Sequence, residues 1–226
     1  MDNSKYDTLI FDLDGTLFYT SEDIANSANI TLDLFGFDPL DQDMIISHVG
    51  GGIYNSISRI IGDAAHGNPH YEWKDGFVDQ VVKKYRQIYS EHFLETTRPY
   101  SGVEETIEKL YQKDYKMAVL SNKAVQYTRA IVEHFQMDTY FELILGGDSL
   151  DNKKPHPQSI NFILDKYGSS QASTLMVGDT EKDIEAAQNA KVDSCGVSYG
   201  MRPPSEVKAM EPDYFIDNFQ ELQEIL

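Results

Sequence analysis

The chain has 226 residues, enough to bury a real core and to hold either one large domain or a core with a smaller partner. Hydrophobic residues at 41% and charged ones at 25% place it among ordinary globular proteins. Its formal charge of −18 excludes non-specific binding to nucleic acid or to an anionic membrane, both of which need a basic patch, and means that an anionic substrate must find locally concentrated cations.

Cys195 is the only cysteine, so no intramolecular disulfide can form, and its apolar neighbourhood, 192–197, predicts a buried structural thiol. The first residues, Met1-Asp2-Asn3-Ser4-Lys5, lack a basic segment followed by an apolar one, and no run of 18 apolar residues occurs. The expected location is therefore cytoplasmic. None of the six histidines has metal-ligand spacing to a second His or a Cys, which argues against zinc.

In chain order, Leu9-Ile10-Phe11 is a short apolar run that reads as a buried strand, ending in Asp12-Leu13-Asp14-Gly15-Thr16. Two acids two positions apart can converge on one site by using the turn that Gly15 permits. From Ser21 to Phe93 the periodicity is helical throughout. Ser21 is expected to cap a first helix carrying Ile24, Ala28, Thr31, Leu32 and Phe35, ended by Gly36. Asp41 opens a short second helix through Met44, Ile45 and His48. Val49-Gly50-Gly51-Gly52 breaks the chain before a third with Ile53, Ile57, Ile60 and Ile61. The fourth is expected to carry Trp73, Phe77, Val81, Tyr85, Ile88 and Tyr89 as bundle core.

Pro99 and Gly102 punctuate the exit from this bundle, and strands then alternate with helices. Helical stripes are Val103, Ile107, Leu110 and Tyr111; then Val125, Thr128, Ile131, Val132 and Phe135; then Ile160, Ile163, Leu164 and Tyr167; then 183–190; and finally Phe219, Leu222 and Ile225. Strands are expected at 115–120, 143–145, 174–177, 192–197 and 214–216. Such alternation implies a parallel sheet with right-handed crossovers. The predicted architecture is α/β: a Rossmann-like, doubly wound parallel-sheet core, residues 1–17 and 97–226, with an inserted α-helical bundle cap, residues 18–96. Linkers near 17–20 and 95–99 would form a hinge.

A parallel sheet would place four polar strand ends on one edge, where ligands of open α/β sheets bind. They are Asp12 and Asp14; Ser121, Asn122 and Lys123; Lys153 and Lys154 in the loop before a helix; and Gly178-Asp179-Thr180-Glu181-Lys182-Asp183. A carboxylate can attack phosphorus and hold the phosphoryl group as an acyl phosphate. A second carboxyl group can give a proton to the leaving group and take one from water. Clustered acids repel one another unless a hard divalent cation relieves them. A hydroxyl, a strand-end N–H and a lysine would neutralise the non-bridging oxygens.

These motifs, in this order, resemble those of the haloacid dehalogenase-like phosphatases. The resemblance implies that Asp12 is the nucleophile and a Mg2+ ligand, and that Asp14 is the acid/base, with its carbonyl on the metal. It likewise implies Thr16, Ser121, Asn122 and Lys154 as phosphate-binding residues, and Asp179 on the metal with Asp183 nearby. Lys153 is expected to be a surface charge. The inserted bundle, Val49-Gly50-Gly51-Gly52 and Arg98-Pro99-Tyr100-Ser101-Gly102-Val103 look like the phosphoglycolate phosphatase branch, with Val49, Gly50, Gly51 and Gly52 as candidate specificity residues. One departure is that the branch usually has Asp-Ser before the first cap helix, where Thr20-Ser21 stands here, removing an acid from the hinge.

The expected activity is Mg2+-dependent hydrolysis of a small phosphorylated metabolite, such as a phosphoglycolate-like monoester, through an aspartyl-phosphate. A β-phosphoglucomutase-like phosphotransferase and a catalytically silent binding module on the same fold are the alternatives. Oligomeric state is not legible in the sequence.

Overall fold

The computed structural model describes residues 5–226. The chain divides into two compact units, Met1–Tyr19 with Pro99–Leu226, and Thr20–Arg98.

The first unit begins with β1 (Thr8–Phe11), whose four residues are fully buried. The chain leaves it through β2 (Phe18–Tyr19) and returns through β3 (Arg98–Pro99). There follow α5 (Val103–Gln112), β4 (Lys116–Leu120), α6 (Val125–His134), β5 (Leu143–Leu145), α7 (Gln158–Tyr167), β6 (Thr174–Gly178), α8 (Glu181–Ala190), β7 (Asp193–Val197), α9 (Pro204–Ala209), β8 (Tyr214–Ile216) and α10 (Leu222–Ile225). α1 to α4 belong to the second unit.

Six strands form one sheet in the order β5-β4-β1-β6-β7-β8, with every neighbouring pair parallel. β1 is thus the point from which the chain winds outward in both directions, the switch point at which open α/β sheets place ligands. Register makes this concrete: Phe11 lies beside Val119 of β4 and Val177 of β6, so the residues that follow all three strands emerge at one edge.

Neighbouring residues of β1 serve opposite faces, as a strand requires. Ile10 packs with Ala118, Leu120 and Met176 against Ile160 and Ile163 of α7 and Ala186 and Ala187 of α8. Phe11 turns the other way, its ring 5.8 Å from that of Phe219 and 6.3 Å from that of Phe141. With both faces covered, the strands read as continuous apolar runs.

The second unit contains α1 (Ser21–Leu34), α2 (Gln42–Ser47), α3 (Ile53–His66) and α4 (Phe77–His92), with no strand between them. Two expectations are corrected here. Thr20, not Ser21, is the N-cap of α1, and Ser21 is its buried first residue. Trp73 lies outside α4, because Gly76, at a φ of +78°, adopts the left-handed conformation that ends helical continuity. The indole still joins the bundle's aromatic core by stacking on Phe77, ring centres 4.7 Å apart.

The first turn of α1 carries a buried acid of its own. Asp23, 1% exposed, accepts from the N–H groups of Thr96 and Thr97, each at 2.9 Å, and from the Thr96 hydroxyl at 2.7 Å. The Thr97 hydroxyl is shared between Asp23 at 2.8 Å and the Phe93 carbonyl at 2.9 Å. One buried carboxylate therefore ties the start of the insertion to its end.

Candidate active site

The edge beyond β1, β4 and β6 collects the charged groups. Asp12 directly follows β1, and its N–H donates to the Val177 carbonyl at 2.9 Å, which fixes its backbone to β6. The chain then folds tightly: the Leu13 carbonyl accepts from Leu17 at 3.1 Å and Phe18 at 2.9 Å. Gly15 sits in that turn at a φ of +85°, and a Cβ there would collide with the Asp179 carboxylate, so both its conformation and its lack of a side chain are required.

Lys154 is the central cation. It is 3% exposed, and its ammonium donates to Asp12 Oδ1 at 2.8 Å, Asp183 Oδ1 at 2.6 Å and the Leu120 carbonyl at 2.7 Å. These three acceptors match the three protons of a lysine. Burial works against its charge, but Asp12 and Asp183 outweigh it and raise its pKa. Lys153 is half-buried rather than a surface charge: the loop that turns Lys154 inward carries its neighbour partly with it, and burial, with Lys182 nearby, lowers its pKa.

Asp12, Asp179 and Asp183 are all buried, and one carboxylate oxygen from each lies within 4.8 Å of the others. Burial is the main cause pushing Asp12 up to about 7, opposed by Lys154 and reinforced by Asp183. The same burial, with the charges of Asp12 and Asp183, raises Asp179 well above the usual carboxylate range. Asp183 is held by Lys154 on one oxygen and by the Thr180 N–H (3.0 Å) and hydroxyl (2.7 Å) on the other, a capping arrangement at the start of α8.

The carboxylate of Asp14 is not part of this triad. It pairs with Lys123, Nζ to Oδ1 2.8 Å, both side chains largely buried. Ser121 is buried, and its hydroxyl accepts from the Lys123 N–H at 3.2 Å. Asn122 Nδ2 donates to the Lys154 carbonyl at 2.9 Å, joining the loop after β4 to the lysine loop. Thr16 is fully buried, and its hydroxyl is directed to Asp179 Oδ1 at 3.2 Å. Val49, Gly50, Gly51 and Gly52 lie in the other unit, between α2 and α3, with Gly52 as the N-cap of α3.

The four acids against Lys123 and Lys154 leave a formal charge of −2 when all are ionised. Donors that are all carboxylate oxygens, in a pocket short of two positive charges, fit a hard divalent cation and not a thiophilic one. The sequence marks Lys123 as a polar strand end but not its partner, 109 positions away, and does not mark Tyr199 and Met201, which reach Thr16 and Asp179. No local periodicity marks such pairs.

A parallel α/β sheet with this arrangement at its switch point defines a hydrolase core with a helical insertion. The chain belongs to the haloacid dehalogenase-like hydrolase family, whose pattern matches residues 9–197. Within that family it falls in the phosphoglycolate phosphatase-like branch and is a phosphatase. It is 32% identical over 224 residues to a phosphoglycolate phosphatase of Haemophilus influenzae, covering 99% of this chain and 100% of that one. It is 30% identical over 222 residues to a pyrophosphatase of Bacillus mycoides, covering 98% of this chain and 97% of that one. The crystal structure of a predicted phosphoglycolate phosphatase from Haemophilus somnus superposes with a TM-score of 0.91 at 28% identity, covering 99% of each chain. Among the described residues no helix is long and apolar enough to cross a membrane.

Proposed function

We propose that the protein is a Mg2+-dependent phosphatase of small phosphomonoesters bearing a second anionic group, phosphoglycolate being the type, acting through an aspartyl-phosphate on Asp12. The observation that carries this reading is the convergence of Asp12, Lys154 and Asp179 at the sheet's switch point, with Asp14 held beside them by Lys123.

In the first step the Asp12 carboxylate attacks phosphorus while the bond to the leaving oxygen breaks, and Asp14, as general acid, passes a proton to the departing alkoxide. In the second, Asp14 takes a proton from water as that water attacks the phosphoryl group, releasing inorganic phosphate and freeing Asp12. Lys154, together with Ser121 and Asn122 at the end of β4, stabilises charge growing on the non-bridging oxygens. Thr16 contributes by holding Asp179, since its hydroxyl is directed there. Asp12, Asp179 and the Asp14 carbonyl, with Asp183 nearby, would hold Mg2+, which would supply neutralisation of the phosphoryl oxygens.

Discrimination between leaving groups is assigned to the insertion. Val49-Gly50-Gly51-Gly52 leads into α3, and a helix N-terminus attracts anions, which suits a substrate carboxylate. Similarity to both a phosphoglycolate phosphatase and a pyrophosphatase makes inorganic pyrophosphate the second substrate to test.

The deciding experiment assays 2-phosphoglycolate, pyrophosphate and an aryl phosphate, with Mg2+ and with EDTA, on wild type and Asp12→Asn. The expected result is Mg2+-dependent turnover that is greatest on phosphoglycolate and abolished by the substitution. Absence of turnover on all three, or wild-type rates in Asp12→Asn, would overturn the reading. Transfer of phosphate between sugar positions would replace it with the mutase.

A further inference from the structure

Three consecutive residues beyond β7 touch the acid site without belonging to any of its motifs. Tyr199 donates its hydroxyl to the Thr16 carbonyl at 3.2 Å. Gly200 packs so closely on Asp179 that a Cβ would overlap that side chain. Met201 donates its backbone N–H to Asp179 Oδ2 at 2.6 Å. The other oxygen of Asp179 accepts from the Thr16 hydroxyl at 3.2 Å. Asp179 is therefore gripped on one oxygen by the 199–201 loop and on the other by Thr16, and the same loop grips Thr16 itself. This is a closed ring of contacts.

The ring extends to the place where the chain re-enters the core. The Tyr199 ring packs on that of Tyr100, centres 4.8 Å apart, and Tyr100 donates its N–H to the Leu17 carbonyl at 3.0 Å, one residue beyond Thr16. The base of the 199–201 loop is anchored in turn, with the Ser198 N–H on the Ile216 carbonyl of β8 at 3.0 Å.

We propose that Tyr199-Gly200-Met201 is a brace that sets the position of Asp179 relative to the turn following Asp12, with Tyr199 as the positioning residue that links this turn to Tyr100. The physical case is that Asp179 is fully buried among other acids and would be pushed away by their repulsion unless fixed donors held it. A backbone N–H cannot rotate away, and a phenol donates at neutral pH. Partners of this kind orient the groups that bind a cation, and losing one typically costs about 10-fold or more in metal affinity. In that respect the brace rests on the Mg2+ reading.

Tyr199→Phe tests it, because the ring and its packing on Tyr100 remain and only the hydroxyl is lost. Two measurements on the full chain separate the brace from the metal. Hydrogen exchange in EDTA should be faster at the amides of Leu17, Phe18 and Met201 in the variant, with its thermal midpoint near that of wild type. Mg2+ titration by thermal shift, without substrate, should need about 10-fold more Mg2+ for half-maximal stabilisation. Unchanged exchange at those amides would overturn the brace whatever the metal does. Faster exchange with an unchanged Mg2+ midpoint would overturn its role in positioning the cation ligand. A wild type that Mg2+ does not stabilise would instead remove the metal reading, leaving the brace to be decided by exchange. Gly200→Ala, which forces the loop off Asp179, should reproduce the shift in Mg2+ midpoint, and a midpoint like wild type would count against the brace.

Discussion

Lys123 Nζ donates to Asp14 Oδ1 at 2.8 Å, with side-chain exposures of 8% and 13%, so the carboxyl group assigned to proton transfer is aimed by a lysine that follows a different strand. Lys123→Met removes the partner while keeping length, and a misplaced acid/base typically costs on the order of 10²-fold in rate. The expected outcome is a fall in kcat with little change in KM and no change in the Mg2+ concentration that stabilises the protein. Steady-state kinetics with a parallel Mg2+ thermal-shift titration check this, and a KM effect alone would contradict it.

Lys154 and Lys153 should part sharply. Lys154→Ala leaves Asp12 and Asp183 buried without their cation, and breaking a buried pair costs roughly 3–5 kcal/mol. It should lose activity and most of its stability to urea. Lys153→Ala should unfold near the wild-type urea concentration and lose far less activity. The opposite ranking would show that the register of the lysine loop has been misread.

The buried acids make stability depend on pH in the metal-free state. Asp12 is pushed up to about 7 by burial, against an unfolded value of roughly 4. Below the unfolded value both states carry the proton and the contribution is complete; as pH rises toward 7 only the unfolded state releases it, so stability falls. A cation competing with that proton should stabilise more as pH rises. Melting temperatures in EDTA and in Mg2+, taken from pH 5 to 8, should diverge, whereas a constant gap would argue against a proton held at Asp12.

Asp23 should be a sensitive position within the insertion. Asp23→Ala strands the buried Thr97 N–H together with the half-buried Thr96 N–H and hydroxyl, and a buried donor left unsatisfied costs about 1–3 kcal/mol. Hydrogen exchange at Thr96 and Thr97 should accelerate by orders of magnitude, and Asp23→Asn, which keeps the volume, should fall between. Unchanged exchange would mean that other contacts hold the segment.

The glycine turn before α3 offers a graded test of specificity. Gly50 and Gly52 have φ of +107° and +89°, whereas Gly51 does not, and a Cβ on Gly51 would rest at an ordinary 3.6 Å from Asn55 Cβ. Gly51→Val thus probes the turn without backbone strain. It should lower kcat/KM for phosphoglycolate much more than for an aryl phosphate. Equal losses on both would reduce the turn to a structural joint.

The sequence by itself determined the alternation of strands and helices and marked the acids and the lysine that meet at one edge. These follow from local rules: apolar runs are strands, three- and four-residue stripes are helices, and the ends of parallel strands share an edge. Trp73 shows where such rules stop, because its spacing fits α4 but the left-handed Gly76 separates it from the helix. Only the tertiary structure decided which polar side chains find one another. Lys123 reaches Asp14 because β4 is the neighbour of β1, and Met201 reaches Asp179 because β7 is the neighbour of β6. Tyr199 finds a carbonyl 183 residues away, and Asp23 two amides more than 70 residues on. The reason is that periodicity reports which face of an element is buried, whereas the pairing of buried polar groups depends on strand order and loop path, which are set by the packing of the whole sheet.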